Sequence, residues 1–385
     1  MSAPASNTAG ARLIVDLGAI RRNYRILVDR AGPGTTVSAV VKADAYGLGA
    51  DRVAPCLAAA GCDDFFVATL DEGLRLRGVL PTARIAVLDG NLPGDEAVLA
   101  ANDLVPVLND LGAIERWRDQ ARQAATLLRA VIQLDTGMCR MGLSEPESAR
   151  LAAEPDRLDG LSHLLVMSHL ACADEPDHPM NREQWHRFVD LTARLPAMKQ
   201  SLANSSGIFL GDDYHFDLVR PGAALYGINP TPGTANPMTE AARLQGKIVA
   251  LRDVDSPMTV GYGATHRVAR SGRIATLAIG YADGFPRVLG NVASGVLSDD
   301  RADKISLPVV GRVSMDLVTL DVSALAPEQL TLGTYIDLIG GPRTVDAVAA
   351  EADTIGYELL ARIGSRVPRL YNESDRQIQT ELRAL

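Results

Sequence analysis

The strongest constraint on the fold is an alternation of short apolar runs with longer helical stretches between residues 36 and 220. Each run is rich in β-branched residues and continuously apolar, which is typical of strands covered on both faces in a parallel sheet. Eight such units with right-handed crossovers close most simply into a (β/α)8 barrel. The predicted strands are 36–42, 64–69, 84–89, 103–108, 128–135, 162–169, 200–204 and 216–220.

The pattern differs on either side of this region. Residues 12–16 predict a strand and 19–28 a helix, because four apolar residues of the second segment share one helical face. After about Pro237, strand-like segments broken by Gly, Asp and Pro predominate. These strand-like segments are 247–254, 258–268, 273–281, 293–297, 304–322 and 335–339, followed by an amphipathic helix at 345–363. We therefore expect a flexible N-terminus (1–10), a barrel (11–240) and a β-rich C-terminal domain (241–385).

Composition narrows the functional classes. The net charge of −9 over 385 residues disfavours a nucleic-acid backbone or an anionic membrane as the main partner. No apolar stretch approaches the roughly 18 residues of a membrane span, and the first ten residues do not resemble a signal peptide. The four cysteines lack a CxxC spacing, so we expect free thiols and no metal site. These features predict a cytoplasmic protein.

The rarity of lysine draws attention to the end of the first predicted barrel strand. The chain has 34 Arg but only four Lys, and Lys42 follows Val40 and Val41 in the run VVKADAYG. Desolvation in such a run lowers the pKa of an ammonium and frees the amine to form a Schiff base or remove a proton. A lysine paired with an acid of the barrel is the structural alternative.

Polar residues also end the later strands, at the edge where barrels of this kind carry their function. Arg140 lies in the loop after the fifth strand, and His169 ends the sixth, although such a histidine is also typical of a structural residue. The segments 204–207 (NSSG) and 220–223 (RPGA) follow strands seven and eight, where this fold commonly binds phosphate through backbone N–H groups. A lysine, a flat ring and a phosphate cradle together indicate pyridoxal phosphate.

Six sequence blocks then identify a family. AVVKADAYG, LDTGMCRMG, LANSSG, VRPGAALYG, GYADGFPR and GRVSMDL, with SRVPRLY near the end, occur in this order along nearly the whole chain. The ordered set resembles the alanine racemases. The resemblance implies a pyridoxal phosphate-dependent isomerase that interconverts L-alanine and D-alanine, for cell-wall synthesis or alanine breakdown. It also implies a barrel followed by a β domain, with the strand at 12–16 joining the second domain.

The resemblance assigns the cofactor contacts. Lys42 would hold pyridoxal phosphate as a Schiff base and serve as one catalytic base. Arg220 would meet the pyridine nitrogen, where a permanently charged partner disfavours ring protonation and restrains side reactions. The other cofactor contacts are Tyr46, Ser205, Gly222 and Ala223 at the phosphate, Asn204 beside them, His169 at the ring and Arg140 at the phenolic oxygen.

The resemblance also supplies a second base, which racemisation needs on the other face of the α-carbon. Tyr281, in GYADG, matches it, although an isolated tyrosine titrates near pH 10 and needs local help to act as a base. Met315 and Asp316 match a block beside that tyrosine, so Arg140 and Met315 are the expected substrate contacts. In relatives these second-domain residues reach the other subunit's barrel, which implies a homodimer with composite sites. Tyr262 would line the substrate entrance.

Two positions depart from the family pattern. Many relatives carry a carbamylated lysine where this sequence has Gln133, which could hydrogen-bond Arg140 but supplies no negative charge. We therefore predict turnover that is independent of carbon dioxide, while an inorganic anion in place of the carbamate stays open. Ser365 stands where some relatives have a phosphate-binding tyrosine, and Tyr371 is out of register, so both are left unassigned.

Three alternatives remain. A racemase of broader specificity would share all the cofactor motifs, because one methylene changes specificity by only about 1–3 kcal/mol. A non-catalytic pyridoxal phosphate-binding protein would share the barrel and the lysine motif, but such proteins lack the β domain. A Schiff-base aldolase would use Lys42 without cofactor and would show no visible absorption band.

Overall fold

The computed structural model of the protein describes residues 9–297 and 305–372. They form two compact units, one of residues 20–239 and one that joins the described residues up to Ala19 with those from Glu240 onward. Residues 1–8 of the N-terminus predicted to be flexible lie outside the described residues, as does Lys304 at the start of a predicted strand. Ala9 and Gly10 are described, and their carbonyl groups accept hydrogen bonds from Tyr335 and Lys247.

The secondary structure alternates strand and helix in the first two thirds and is mainly strand afterwards. The strands are β1 (Ala11–Asp16), β2 (Thr36–Val37), β3 (Ala39–Val40), β4 (Asp64–Val67), β5 (Arg84–Val87), β6 (Leu104–Leu108), β7 (Leu128–Gln133), β8 (Leu161–Met167), β9 (Lys199–Ser201), β10 (Leu218–Val219), β11 (Ala242–Val254), β12 (Thr259–Val260), β13 (His266–Arg267), β14 (Gly272–Leu277), β15 (Ser294–Leu297), β16 (Ser306–Pro308), β17 (Val318–Asp321), β18 (Tyr335–Ile339) and β19 (Arg369–Asn372). The helices are α1 (Leu17–Ala31), α2 (Lys42–Tyr46), α3 (Ala50–Ala59), α4 (Leu70–Val79), α5 (Glu96–Ala101), α6 (Leu111–Ala124), α7 (Glu145–Ala153), α8 (Pro179–Thr192), α9 (Val345–Glu351) and α10 (Gly356–Ala361). In the described ranges, none of them has both the length and the apolar character that crossing a membrane requires.

The unit of residues 20–239 is a closed parallel barrel. Strands β3 to β9 pair in sequence order, and β10 pairs with β2 through Leu218 and Thr36. The ring is completed by a backbone hydrogen bond of 2.9 Å from the Arg220 N–H to the Ala203 carbonyl. All eight predicted strand positions are therefore occupied, with β2 and β3 as two halves of the first strand. The predicted (β/α)8 fold is confirmed.

Apolar side chains fill the inside of this barrel. Val40, Phe66, Val107, Val131 and Met167 are buried members of one cluster to which seven of the strands contribute. This packing explains why the strands are continuously apolar, since their outer faces are covered by helices. The carboxyl ends of the strands are thereby held at one edge of the barrel.

The second unit is built on one mainly antiparallel sheet. Its strand order is β16-β15-β18-β11-β1-β19, with β14 and β17 attached through β11. Leu13 of β1 pairs antiparallel with Leu244 of β11 and parallel with Arg369 of β19. The strand near the N-terminus thus lies in the same sheet as strands from the C-terminal part of the chain.

Several predictions about this unit are wrong in detail. The continuous helix predicted for 345–363 is two helices, α9 and α10, because Asp353 adopts a left-handed φ of 53° and turns the chain between them. The strand predicted for 304–322 is β16 and β17, and a loop that carries Met315 separates them. Similarly, β14 ends at Leu277, which leaves Tyr281 in a short 3-10 turn (Tyr281–Asp283).

Candidate active site

Lys42 begins a left-handed turn at the carboxyl end of the first barrel strand. The four residues that follow it, Ala43 to Tyr46, have φ values of 52°, 55°, 53° and 56°. Left-handed backbone costs roughly 1–2 kcal/mol for each residue that has a Cβ atom, so the surroundings must hold this turn. The Ala45 N–H donates to the Val41 carbonyl at 2.9 Å, and the Gly47 N–H donates to the Ala43 carbonyl at 2.8 Å. The turn brings Lys42 and Tyr46 to the same strand end.

The environment of Lys42 favours its free amine. Burial lowers the pKa of Lys42, and the positive charge of Arg140 lowers it further. Glu72 and Asp89 act in the opposite direction and raise it. The direction of the net shift is the one expected for an ammonium in an apolar run.

Hydroxyl and backbone groups come close together where the loops after β9 and β10 meet Tyr46. The Ser205 hydroxyl accepts hydrogen bonds from the N–H groups of Gly222 at 3.0 Å and Ala224 at 3.2 Å. A Cβ atom at Gly222 would stand 2.5 Å from the Tyr46 hydroxyl oxygen, so only glycine allows this approach. Ala223 lies between the two bonded amides. The two N–H groups orient the Ser205 hydroxyl, and hydroxyl groups beside backbone that has no room for a side chain fit a phosphate.

Asn204 shapes the same loop. Its side-chain carbonyl oxygen accepts the Gly207 N–H at 2.9 Å, which closes the turn after β9. The Tyr46 ring lies 4.8 Å from that of Tyr226, centroid to centroid, and the Tyr226 hydroxyl donates to the Val40 carbonyl at 2.8 Å. These contacts fix Tyr46 from the side of the eighth strand.

Arg220 places a positive charge inside the barrel. The side chain is buried, and its guanidinium donates to the Ser201 hydroxyl and to the carbonyl groups of Ser168 and Leu202. Burial lowers the pKa of Arg220 to about 10. The group therefore keeps its charge at neutral pH, as expected of a guanidinium.

His169 is uncharged at neutral pH. Burial, followed by the positive charges of Arg220, Arg140 and Lys42, lowers the pKa of His169 to about 3. Its backbone carbonyl accepts a hydrogen bond of 2.8 Å from the side-chain amide of Gln184, which is fully buried. The ring is thus suited to packing against a flat group and not to exchanging protons. Gln184 was missed by the sequence analysis, because nothing in its helix marks an inward-facing amide.

The loop that carries Arg140 is held by two of its neighbours. The Asp135 carboxylate accepts the N–H groups of Gly137 at 2.8 Å and Cys139 at 3.1 Å. The Gln133 amide donates to the Met141 carbonyl at 3.3 Å, so the hydrogen bond of Gln133 goes to the residue after Arg140. Gln133 consequently supports the arginine through the backbone of its loop.

In the second unit, Tyr281 and Met315 lie on two loops that are bonded to each other. The Tyr281 N–H donates to the Ser314 carbonyl at 3.1 Å, and the Ala282 N–H donates to the Met315 carbonyl at 3.0 Å. A Cβ atom at Gly280 would collide with both of these carbonyl oxygens, so this close approach requires glycine. The side chains of Tyr281 and Met315 are both exposed.

Arg366 ties these two loops together. Its guanidinium donates to Asp283 at 2.6 Å and 3.1 Å and to Asp316 at 2.7 Å. Asp283 is buried and also accepts the Gly280 N–H at 2.8 Å. The two carboxylates raise the pKa of Arg366 above its ordinary value. The role of this arginine is not visible in the sequence, because its partners are 50 and 83 residues away.

The remaining sequence candidates lie in the same unit. Tyr262 is highly exposed in a turn that follows β12, and Ser365 is exposed beside Arg366. Tyr371 is in β19, where it pairs with Val15 of β1. In the part of the chain that the structure describes, no group of three His, Cys, Asp or Glu residues is arranged to hold a metal ion.

The barrel therefore defines a class of protein, one that can hold a phosphorylated cofactor on a lysine at the carboxyl ends of its strands. Comparison with known proteins is more specific. The family model for the alanine racemase N-terminal domain matches residues 15–230, and the model for the alanine racemase C-terminal domain matches residues 241–371. The chain belongs to the alanine racemase family.

Individual relatives agree with this assignment. The chain is 51% identical over 364 residues to the alanine racemase of Rhodospirillum rubrum, covering 94% of this chain and 96% of that protein. It is 47% identical over 364 residues to the catabolic alanine racemase of Mesorhizobium japonicum, covering 94% and 93%. It also matches a crystal structure of the Bartonella henselae alanine racemase with covalently bound pyridoxal phosphate. That match has a TM-score of 0.89 at 38% identity and covers 94% of this chain and all of the other.

Proposed function

We infer that this protein is an alanine racemase that interconverts L-alanine and D-alanine with pyridoxal phosphate as its cofactor. The observation that carries the inference is that one barrel holds both the left-handed turn after Lys42 and the group of Tyr46, Ser205, Gly222 and Ala223, which we call the cradle. It occurs in a chain 51% identical to an alanine racemase over 94% of its length. The D-alanine formed would serve cell-wall synthesis, and the reverse direction would serve alanine breakdown.

The residues of the barrel fit the cofactor. Lys42 would bind it covalently, and the cradle of Tyr46, Ser205, Gly222 and Ala223 would bind its phosphate. When bound, the cofactor supplies a π-system that takes up the electron pair left at the substrate α-carbon. The neutral ring of His169 would pack against the cofactor ring. Arg220 would bring its charge to the pyridine nitrogen, which disfavours a proton there.

Two groups of the protein would move the α-proton. Racemisation removes a proton from one face of the α-carbon and delivers one to the other face. Lys42 serves one face, and its lowered pKa increases the fraction present as free amine. The Tyr281 phenol serves the opposite face. Arg140 and Met315 orient the substrate, so that its α-proton faces the group that removes it.

We further propose a homodimer in which the partner subunit's Tyr281 completes each barrel site. The loops around Tyr281 support this. The Asn291 side-chain amide donates to the Thr265 hydroxyl at 3.1 Å and accepts the Gly311 N–H at 2.6 Å, which links the loops that carry these three residues. Large apolar or aromatic side chains are exposed on these loops, as expected of a surface that a second copy covers. They are Tyr262, Tyr281, Val288, Val292, Met315 and Leu317.

A cytoplasmic location completes the proposal. The four cysteines are all free, although Cys139 is exposed and therefore open to oxidation. Free thiols fit a reducing compartment, where disulfides are rare.

The experiment that tests the function follows the optical activity of L-alanine and, separately, of D-alanine with the purified protein. We expect both to reach the same equimolar mixture, and we expect serine and lysine to react more slowly. Treatment with hydroxylamine followed by dialysis should abolish the visible band and the activity together, and added pyridoxal phosphate should restore both. A protein that shows the band but leaves both enantiomers unchanged would be a cofactor carrier, and the proposal would be wrong.

A further inference from the structure

The left-handed turn after Lys42 needs an acceptor that the turn itself does not provide. Its internal hydrogen bonds use the N–H groups of Ala45 and Gly47, while that of Ala43, directly after the lysine, points elsewhere. The Glu72 carboxylate accepts the Ala43 N–H at 2.7 Å. Glu72 is therefore bonded to the backbone of the residue adjoining Lys42.

The second oxygen of the same carboxylate holds the neighbouring strand. Oε2 of Glu72 accepts the Ala68 N–H at 2.7 Å, just after β4 ends. Because β4 is hydrogen-bonded to β3, this carboxylate links the ends of two adjacent barrel strands. The lysine turn is thus fixed to the rigid part of the barrel.

The sequence around Glu72 shows that this use of the side chain is unusual. Thr69 caps α4 by accepting the Glu72 N–H at 3.3 Å, and T-L-D-E has the spacing of a capping box. In that motif the glutamate bonds the N–H group of the cap residue itself. Here its two oxygen atoms instead bond Ala68 and Ala43. A motif that usually stabilises only its own helix is connected to the candidate active site.

The Ser144 cap provides the ordinary version in the same barrel. At the start of α7, Glu147 accepts the Ser144 N–H at 2.9 Å, as the motif predicts. Glu147 therefore stabilises a helix end without a bond to the lysine turn, and it serves as a matched control.

We propose that Glu72 is a positioning residue for Lys42, which holds the left-handed turn so that the amine and the Tyr46 hydroxyl are presented together at the cofactor site. The inference rests on the proposed role of Lys42. It goes beyond that role in assigning the geometry to a carboxylate outside the family motifs quoted above. Glu72 also brings a negative charge that acts on Lys42 through space.

Geometry and charge make different predictions for two substitutions. Glu72→Gln removes the charge but keeps one acceptor oxygen, whereas Glu72→Ala removes the charge and both acceptors. Since Glu72 raises the pKa of Lys42, both variants should lower that pKa further, and by the same amount. If Glu72 acts by position, the rate at which Lys42 reacts with the cofactor should fall from wild type to Glu72→Gln and fall again to Glu72→Ala.

The first measurement determines how the reactivity of the Lys42 amine depends on pH in the absence of cofactor. The cofactor-free full chain is acetylated with acetic anhydride over a range of pH, and mass spectrometry follows Lys42, with exposed Lys199 as internal reference. The small number of lysines makes each site separable. We expect the labelling profile of Lys42 to move to lower pH in both Glu72 variants and to stay unchanged in Glu147→Ala.

The second measurement is the rate at which the visible band forms when pyridoxal phosphate is added to the same samples. A misplacement of about 1 Å can slow a reaction by up to about a hundredfold, so we expect roughly a tenfold fall for Glu72→Ala and a smaller fall for Glu72→Gln. Glu147→Ala should bind at the wild-type rate. Equal rates and equal labelling in Glu72→Ala and Glu147→Ala would overturn the proposal. So would a changed labelling profile with an unchanged rate, because charge alone would then explain Glu72.

These outcomes are separate from the proposed function. If the wild-type protein binds cofactor but does not racemise alanine, the proposed function fails, while the comparison of Glu72 with Glu147 still decides the positioning role. If it takes up no cofactor, the proposed function also fails. The cofactor-free labelling then decides instead, because positioning requires the plateau rate of Lys42 acetylation at high pH to differ between Glu72→Gln and Glu72→Ala.

Discussion

At the residue scale, Gly222 is the proposed phosphate-site residue whose lack of a side chain is easiest to test. We predict that Gly222→Ala weakens cofactor binding at least about tenfold, because the new methyl group would stand 2.5 Å from the Tyr46 hydroxyl oxygen. Equilibrium dialysis against pyridoxal phosphate measures this. Gly78→Ala is the control, since a Cβ atom there meets nothing within 4 Å. Unchanged affinity for pyridoxal phosphate in Gly222→Ala would show that the cradle does not bind the phosphate.

Gln133 gives a second prediction at this scale. Its amide bonds the Met141 carbonyl at 3.3 Å and so supports the Arg140 loop without a negative charge. We therefore expect the same turnover in buffer freed of carbon dioxide and in buffer with added bicarbonate. A severalfold change in rate would contradict this reading of Gln133. Comparing chloride with a bulky organic anion would then show whether an inorganic anion supplies the charge.

Functional residues could be found from the sequence where their immediate neighbours along the chain make them unusual. Lys42 stands out as a cation in an apolar run, and the structure lowers its pKa through burial, as that position predicts. Glu72, Gln184 and Arg366 were not found, because their importance lies in contacts with residues far along the chain. Glu72 was hidden further by its place in an ordinary capping pattern.

At the scale of elements, the Tyr281 turn and the Met315 loop behave as one piece because Arg366 bonds a carboxylate on each. We predict that Arg366→Ala lowers the racemisation rate by about ten- to a hundredfold. The substitution removes the clamp, by which we mean the bonds of Arg366 to Asp283 and Asp316, and so no longer holds Tyr281 in position. Cofactor binding should be unchanged, because the proposed cofactor contacts are all residues of the barrel.

Arg362→Ala is the matched control for this prediction. Arg362 is an exposed arginine of the same unit that bonds only Glu358, at 2.7 Å, among the described ion pairs. Its loss should leave the rate unchanged. Equal activity of Arg366→Ala and Arg362→Ala, measured with L-alanine and with D-alanine, would show that the clamp has no part in catalysis.

Elements were predictable where one local rule dominated. Most of the barrel strands have an apolar core because helices cover them, so their positions could be found from the sequence. The division of the closing helix could not, because it depends on one left-handed residue, Asp353. Strand β19 was also missed, because the strand it pairs with among the described residues, β1, lies at the other end of the chain.

At the scale of the whole molecule, the proposed dimer makes each active site from two chains. Lys42→Ala and Tyr281→Ala should each be nearly inactive alone. Co-expression should restore about a quarter of the wild-type activity, because half of the dimers are mixed and each mixed dimer keeps one intact site.

Co-expressing Lys42→Ala with a chain that carries both substitutions is the control and should restore nothing. No recovery from the two single variants, despite mixed dimers isolated by two affinity tags, would show that Lys42 and Tyr281 act within one chain. The homodimer with composite sites would then be ruled out.

The most direct test of the two-base account is the isotope content of alanine after brief reaction in D2O. We predict that the product enantiomer carries deuterium at its α-carbon from either starting enantiomer, because the base that delivers the proton is not the one that removed it. Tyr281→Ala should bind cofactor and still exchange the α-proton of one enantiomer with retention, while inversion falls at least about a hundredfold. Product that keeps the substrate's own proton, or inversion by Tyr281→Ala at the wild-type rate, would contradict the account.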